Sequence, residues 1–584
     1  MNLNVHLSRT AERAAPDPGP GRRRWLAVLM VGLLVLAGCA RLPQSGPVGT
    51  SEPLSGNENQ VNYTFTPAGP TDGDSPEEII RGFITAGTGV QDDYATAREF
   101  LTEDSAAAWE PGARTLVYTS EPTLVPSATD NVYTVQMEVE SVVDERGIMS
   151  RMPANTTEAA EFEVTEENGQ WRISRAPAGI VLETTQFRAL FGSHELYFYD
   201  QSYQYAVPDV RWFLNRPGTA ADIVDALLDG PAPYLEGAVR TAFQPGSELS
   251  RPSVPVSGGA AKVDFTRPTI EGTDALARRR MKQQLELTLG GLNSVSSVDL
   301  SVDLDPLDLE QTPEGFVAAR VNPSVGSTQV AVADGQLVYY EGDAAVPVGG
   351  VRTDAAEPPA LPAMSLDATR FAFLNQDRTR MRTADTDGFQ RLVLEGEKLT
   401  RPSFDLSGWV WTVDHSQGTR VMAIDARANG GEEATREISA EWIGDRDVLA
   451  LKISRDGTRA AIVAGEGDST HLYLSGVVRD SEGVPRGLGT PVRLEPTVPV
   501  SDVTWLSDQE LVVAATSPNE PVEAQVVGFD GSLRTLKPLL GMTGFSTGPG
   551  DNPIYAETTE AVHALAGSTW RSQAGVAEDL AFPG

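Results

Sequence analysis

Apolar residues are distributed along this chain in three ways: in one unbroken early run, at helical spacing, and in strict alternation. The unbroken run covers residues 25–38, WLAVLMVGLLVLAG, behind Arg22, Arg23 and Arg24 and ahead of Cys39. Its 14 residues are too few for a bilayer-spanning helix, which takes about 20. Residues 39–72 then turn to Gly, Pro, Ser and Asn, the composition of a flexible tether. Helical spacing begins at Ser75-Pro76-Glu77-Glu78, a capping box with proline at the first helical position, after which Ile79, Ile80, Phe83 and Ile84 share one face. A second helix is expected over 94–109, with Ala97, Phe100 and Leu101 inward. The period then falls to two. Tyr133, Val135, Met137 and Val139 alternate with Thr134, Gln136, Glu138 and Glu140, which predicts a half-buried strand. Phe162/Val164 and Trp171/Ile173 flank Asn168-Gly169, a pair that favours a type I′ hairpin.

The next segment, 194–307, opens with the strand LYFY at 196–199. A helix follows, with Thr219 as N-cap, Ile223, Val224, Leu227 and Leu228 as its apolar face, and Gly230-Pro231 as its stop. A strand at 261–265 and a long helix over 274–289 come next. In the closing strand Val298, Leu300, Val302 and Leu304 alternate with Asp299, Ser301, Asp303 and Asp305. The remaining residues hold no long helical pattern and repeat instead. Ser365-Leu366-Asp367 leads into RFAFL, Ser403-Phe404-Asp405 into WVWTV, and Ser454-Arg455-Asp456 into RAAIV; Ser507-Asp508 and Asp551 head two weaker copies. These aspartates stand 38, 51, 52 and 43 residues apart, the period of propeller blades. Ahead of them, QVAVAD, GQLVYYEG and AVPVGG supply three strands with no first strand, and residues 578–582 alternate like the missing one. Six blades closed by strand exchange between the two ends are expected, with five as the alternative.

Composition narrows the setting. The formal net charge is −35, and the first 38 residues hold five arginines against Glu12 and Asp17, so the remainder carries −38. Such a surface repels nucleic acid. The single cysteine rules out an intramolecular disulfide. A basic start, an apolar run and small residues before Cys39 make a secretory signal peptide. Leu36, Ala37, Gly38 and Cys39 resemble the bacterial lipobox, which implies cleavage before Cys39 and a covalent diacylglycerol and N-acyl lipid on it. Two or more acyl chains suffice for stable anchoring. The mature chain is thus expected on the extracytoplasmic face of the cell membrane.

Candidate chemistry is sparse. Gly544-Phe545-Ser546-Thr547-Gly548 fits G-x-S-x-G, with Asp551 and His563 following in order. A nucleophile elbow needs a helix directly after the serine, and Pro549, Gly550 and Pro553 forbid one, so a propeller loop is the better reading. The histidines beyond Cys39, His194, His415, His471 and His563, lack metal-ligand spacing. Arg278, Arg279, Arg280 and Lys282 form the one dense basic cluster after the leader, read either as a solvated helix face or as a docking site for an acidic partner.

Helices followed by antiparallel strands at 73–188 look like an α+β NTF2-like cone. The order LYFYD, ALLDGP, PGSEL, AKVDF and QQLELTL at 192–312 resembles the α/β GerMN domain. With the signal peptide (1–38), the tether (39–72) and a propeller at 318–584, the chain is expected to be multidomain and mainly β. Lipobox, LPQSGPV just after Cys39, and this domain order together resemble the actinobacterial LpqB lipoprotein family. That resemblance implies an accessory of the MtrAB two-component system, which contacts the ectodomain of the sensor histidine kinase MtrB and influences envelope homeostasis and cell division. It carries over no catalytic residue, metal or cofactor beyond the lipid on Cys39. Cell-wall components are further candidate partners. The alternative is an envelope ligand sensor or cell-wall enzyme using the propeller channel or the NTF2-like cone.

Overall fold

The computed structural model describes residues 66–584 apart from 310, 343, 429–433, 468, 551–553, 574 and 576. The signal peptide, the lipobox and most of the tether lie outside the described residues.

The first module starts where the capping box closes. In α1 (Pro76–Ala86) the Ser75 hydroxyl accepts from the Glu78 N–H, while the Glu78 carboxylate accepts from the Ser75 N–H at 2.8 Å. Ile79, Ile80 and Phe83 point into the core, where Phe83 meets Trp109 and Phe162 edge-on at 5.0 and 6.0 Å. The helix expected over 94–109 is broken into α2 (Ala95–Arg98) and α3 (Glu103–Ala108). Tertiary pairing overrides the helical pattern: Leu101 bridges to Ile173, and the Thr102 N–H donates to the Ile173 carbonyl at 2.9 Å. Thr102 then caps α3, its hydroxyl accepting from Ser105 N–H at 3.3 Å. Seven strands follow: β1 (Arg114–Tyr118), β2 (Thr123–Pro126), β3 (Val132–Asp144), β4 (Met149–Arg151), β5 (Thr157–Glu167), β6 (Gln170–Arg175) and β7 (Ile180–Glu183). They form one sheet in the order β6-β5-β3-β1-β7, with β2 and β4 also on β3. Asn168 and Gly169 both have positive φ, 54° and 78°, as the type I′ turn between β5 and β6 requires.

A short helix, α4 (Thr184–Leu190), leads into the second module. Strands β8 (Phe191–Tyr199) and β9 (Tyr205–Leu214) pair with each other, and β10 (Val256–Ser257), β11 (Ala260–Phe265), β12 (Ser297–Val302) and β13 (Asp305–Pro306) make a second sheet. A late strand, β14 (Arg320–Val321), adds to β9 in parallel. Between these sheets run α5 (Thr219–Leu228), α6 (Arg267–Ile270) and α7 (Ala275–Leu289). The N-cap of α5 is Gly218, at φ 109°, not Thr219. Thr219 is instead the first helical residue, and its hydroxyl reaches back to the Leu214 and Arg216 carbonyls, both at 2.7 Å. Asp274 caps α7 through the Ala277 N–H at 2.7 Å. The alternation of the closing strand ends at Val302: Leu304 turns out at φ 73° and is 59% exposed.

The rest is β. Among the described residues six larger sheets follow in sequence, each of four strands except the fourth, which carries a fifth, and Pro521–Val522 pairs with Leu539–Leu540 in a separate two-stranded ribbon. Their first strands pack side by side in a closed ring: Pro359–Met364, Ser403–Phe404, Asp447–Ile453, Asp502–Trp505, Met542–Thr547 and, from the far end of the chain, Glu578–Ala581. The last of these pairs antiparallel with Gln329–Ala333, so the first sheet is completed by residues some 250 positions away. Leu580 is fully buried among Ala331, Val338, Tyr340, Val562 and Ala577. The repeated aspartates secure turns. Asp367 and Asp456 each accept from the serine two residues earlier at 2.6 Å, and Asp405 accepts from the Trp409 N–H at 2.9 Å and the Trp411 indole at 3.0 Å.

Candidate functional site

Each residue singled out in the sequence has a definite place among the described residues or falls outside them. Leu36, Ala37, Gly38 and Cys39 fall outside. Arg278, Arg279, Arg280 and Lys282 lie on α7, all half-buried. Arg280 stacks over Tyr203 at 3.9 Å, and Arg279 sits over Phe316 at 4.9 Å and pairs with Glu286 at 3.2 Å. Lys282 also faces Glu286, at 3.9 Å, and Arg278 donates to the Thr273 hydroxyl at 2.9 Å. These side chains are engaged inside the module, by Tyr203 from the turn between β8 and β9, by Phe316 from the segment leading to β14, and by Thr273 and Glu286 at or on α7 itself. Ser546 is not on a loop. It lies on the innermost strand of the sixth sheet, 5% exposed, and donates to Gln329 Oε1 at 2.7 Å. Its hydroxyl is therefore directed at an amide across the ring closure; Asp551 lies outside the described residues. His563 sits on another strand of that sheet, burial pushing its pKa down.

The features that stand out are seams between modules, with buried ion pairs just behind them. Between the first and second modules, Arg146 donates to the Pro231 carbonyl at 2.8 Å and the Trp212 N–H donates to the Gly147 carbonyl at 2.7 Å. The Phe187 ring lies 4.9 Å from both Phe191 and Trp212. Behind them Arg211, wholly buried, pairs with Asp209 at 2.7 Å and donates to the Gly230 carbonyl at 2.8 Å. Asp209 in turn accepts from Ala232 N–H at 2.8 Å, which fixes the turn after α5. A groove of about 490 Å³ opens along this seam, lined by Asp222, Asp225 and Asp229 on one side and Arg146 and Trp212 on the other. Burial, then the neighbouring Asp222 and Asp229, raise the Asp225 carboxyl above its usual range.

The second module docks on the propeller through the turn at Pro233–Leu235. Tyr234 packs against both hydrophobic cores. The approach is close enough that a Cβ at Gly476 would lie 2.5 Å from the Tyr234 carbonyl and 2.7 Å from Ala238 Cβ. Beneath Tyr234, Arg459 is fully buried, bonded to the Asp508 carbonyl at 2.6 Å, paired with Asp456, and stacked over Trp505 at 5.1 Å. Burial works against ionisation of Asp456, but Arg459 and bonds from Ser454 and Thr458 hold its pKa below the usual range. The Asp508 side chain is less well served. Its Oδ2 has no hydrogen-bond partner among the described residues, and burial pushes its pKa up to about 6. A third contact joins the first module to the fifth sheet: Arg151 donates to the Gly531 carbonyl at 3.3 Å beside a cleft of about 430 Å³.

On the propeller axis, the closing strand is gripped by a side chain as well as by its neighbour. Glu557, buried, accepts from the Asp579 and Leu580 N–H groups at 2.7 and 2.6 Å, and Arg401 reaches Asp579 at 3.4 Å. Burial pushes the Glu557 carboxyl up to about 7 despite these donors and Arg401. Sequence reading placed residues 578–582 as the closing strand but did not find Glu557 or Arg401, which stand on other blades and carry no local motif. The repeat of innermost strands was the one available signal.

No helix among the described residues is long and apolar enough to cross a membrane. Three family models match in order: Lipoprotein LpqB, N-terminal domain, over residues 69–188; Sporulation and spore germination, over 195–308; and Lipoprotein LpqB beta-propeller domain, over 335–583. The chain is similar to Lipoprotein LpqB of Bifidobacterium longum, 27% identical, with 83% of each chain covered. It is also similar to that of Thermobifida fusca, 27% identical over 85% of this chain and 88% of the relative, and of Mycolicibacterium smegmatis, 27% identical over 87% and 89%. Among solved structures, a nidogen/laminin complex chain matches 44% of this chain and 98% of its own at TM-score 0.33 and 10% identity. A putative TolB from Agrobacterium tumefaciens matches 38% and 83% at TM-score 0.30 and 12% identity. Likenesses this distant say nothing of function. Matched over most of its length by LpqB relatives, and by family models for each of its three modules, the chain belongs to the LpqB lipoprotein family.

Proposed function

We propose that this protein is a lipid-anchored extracytoplasmic binding module, held at the cell membrane through Cys39, that grips the ectodomain of an MtrB-like sensor histidine kinase and modulates its signalling in envelope homeostasis and cell division. The observation that carries this reading is the way the three modules are clamped together. Arg146 and Trp212 bond the first module to the second, Arg151 bonds the first to the propeller, and Tyr234 packs against the cores of both the second module and the propeller. A chain whose modules are joined by such contacts is suited to presenting a fixed surface to a partner. Inter-domain contacts of ordinary size would leave the modules free to move. The acidic groove between the first two modules is the concave surface such a partner would enter, and it suits a basic segment.

Cross-linking in intact cells, followed by recovery of the protein and identification of what is attached, tests this reading. The expected product is a membrane-embedded histidine kinase joined through its extracytoplasmic part. Recovery of the folded protein with cell-wall material alone, and no kinase, would overturn it.

A further inference from the structure

Three cations converge on the propeller axis. Lys452 is on the innermost strand Asp447–Ile453, Arg455 follows in the next turn, and Arg401 precedes the innermost strand Ser403–Phe404. All three line one cavity of about 40 Å³, whose other walls include Asp502, Trp505 and Thr547. Arg401 is satisfied by Asp579 at 3.4 Å and the Leu580 carbonyl at 3.3 Å. The other two are not. Among the described residues Arg455 reaches only the Trp505 and Thr547 carbonyls, at 3.3 and 3.1 Å, and Lys452 only the Pro402 carbonyl at 3.5 Å, the limit of a hydrogen bond. Among the described residues neither forms an ion pair with a carboxylate. Asp502 lines the cavity and attracts the Lys452 amine from beyond pairing distance.

This arrangement is costly as it stands. Holding a largely buried cation without a paired counter-charge is unfavourable, and a bound anion relieves it. Burial, then the charge of Arg401, push the Lys452 amine down to about 7, which is the expression of that cost. Lys452 nonetheless keeps part of its surface on the cavity, so its amine is presented to whatever fills it. In a chain of net charge −35, two half-buried cations sharing one small space, with Asp502 and Asp508 near them but neither in an ion pair, leave a local excess of positive charge for an anion to meet. A water needs about 10–15 Å³ of such space, so the cavity holds about three water-sized groups. That suits a tetrahedral or planar oxyanion and excludes a sugar or a nucleotide.

We propose that the propeller axis binds one small oxyanion, a phosphate-like or carboxylate group, between Lys452 and Arg455 with Arg401 at its edge. Lys452 supplies a point charge and up to three donors, and Arg455 supplies the guanidinium N–H groups its two carbonyl bonds leave over. The site sits where the innermost strands of the third to sixth sheets and the closing strand meet, so an anion there ties the ring together around its axis.

The test is isothermal titration calorimetry of the full chain in non-ionic detergent, at fixed ionic strength, with sulfate, inorganic phosphate and acetate in separate titrations. The expected result is saturable one-site binding, weakened about tenfold or more in Lys452→Met, equivalent to about 1.4 kcal/mol. Sulfate and phosphate without acetate identifies a phosphate-like group, and acetate alone identifies a carboxylate; either supports the site. Lys452→Met removes an uncompensated cation while keeping the length of the side chain, so it folds, and Arg455→Gln provides a second variant with the same expected loss. Thermal unfolding gives an independent readout. Sulfate stabilises proteins generally, so the expected mark of the site is a larger sulfate-induced rise in Tm for the parent than for Lys452→Met. No saturable binding of any of the three anions, equal affinity in parent and variant, or equal sulfate stabilisation would overturn the proposal.

Discussion

Replacing Leu580 by alanine tests the ring closure at its most sensitive point. Leu580 is wholly buried and fills the space between the first and sixth sheets, against Ala331, Val338, Tyr340 and Val562. Its backbone N–H is fixed by Glu557 at 2.6 Å, so the strand cannot slide to fill the gap cheaply. Truncation of a buried leucine in such a setting costs about 2–5 kcal/mol, transfer and residual cavity together. For a body of 150–250 residues each kcal/mol lowers Tm by about 2–4 °C, so the propeller transition is expected to fall by roughly 4–20 °C. The control is Leu540→Ala in the same propeller, because Leu540 is 67% exposed; that change belongs in the range of about ±0.5 kcal/mol. Differential scanning calorimetry of both variants makes the comparison. A fall in Leu580→Ala no greater than in Leu540→Ala would refute the claim that the end of the chain completes the first blade.

Three other outcomes are expected of the same structure. Gly476→Ala places a methyl group against the Tyr234 carbonyl and Ala238, at an overpacking cost of about 1–3 kcal/mol; it should speed limited proteolysis between the second module and the propeller and enlarge the particle in small-angle scattering, with unchanged values counting against the seam. Asp508, whose pKa rises to about 6 in the folded protein, binds its proton more tightly there than in the unfolded chain, so its contribution is full below about pH 4 and is lost as pH rises to about 6. The difference is on the order of 3 kcal/mol, and Asp508→Asn should remove that slope from a Tm-against-pH curve; an identical curve would contradict it. Cys39→Ala should abolish labelling by a fatty-acid probe in growing cells, and a labelled variant would contradict lipidation at that cysteine.

What the sequence revealed was whatever is decided locally. The Ser75/Glu78 box and the Asn168-Gly169 turn each depend on residues within three positions of one another and form as their patterns imply, whereas the cap expected at Thr219 moved one residue back to Gly218. The closing strand was legible because its alternation stood without a partner nearby. The helix over 94–109 failed for the opposite reason: apolar spacing favoured one helix, but a bridge to Ile173, some 70 residues on, and the cap at Thr102 divided it. Arg279 and Arg280 read as a solvated or docking face because nothing nearby in sequence announces Phe316 or Tyr203. The seams and the axial cations were illegible by construction of the fold. Tyr234 meets Gly476, and Arg401 meets Lys452 and Arg455, only after separate blades and modules have been brought together.

The most direct measurement for the proposed role is surface plasmon resonance between an immobilised MtrB-like kinase ectodomain and a soluble chain beginning at Asp74, inside the compact unit of residues 62–584. Saturable binding without the lipid is expected, because the gripping surface is placed on the clamped modules and not on the tether. Both proteins folded and no binding observed would contradict it.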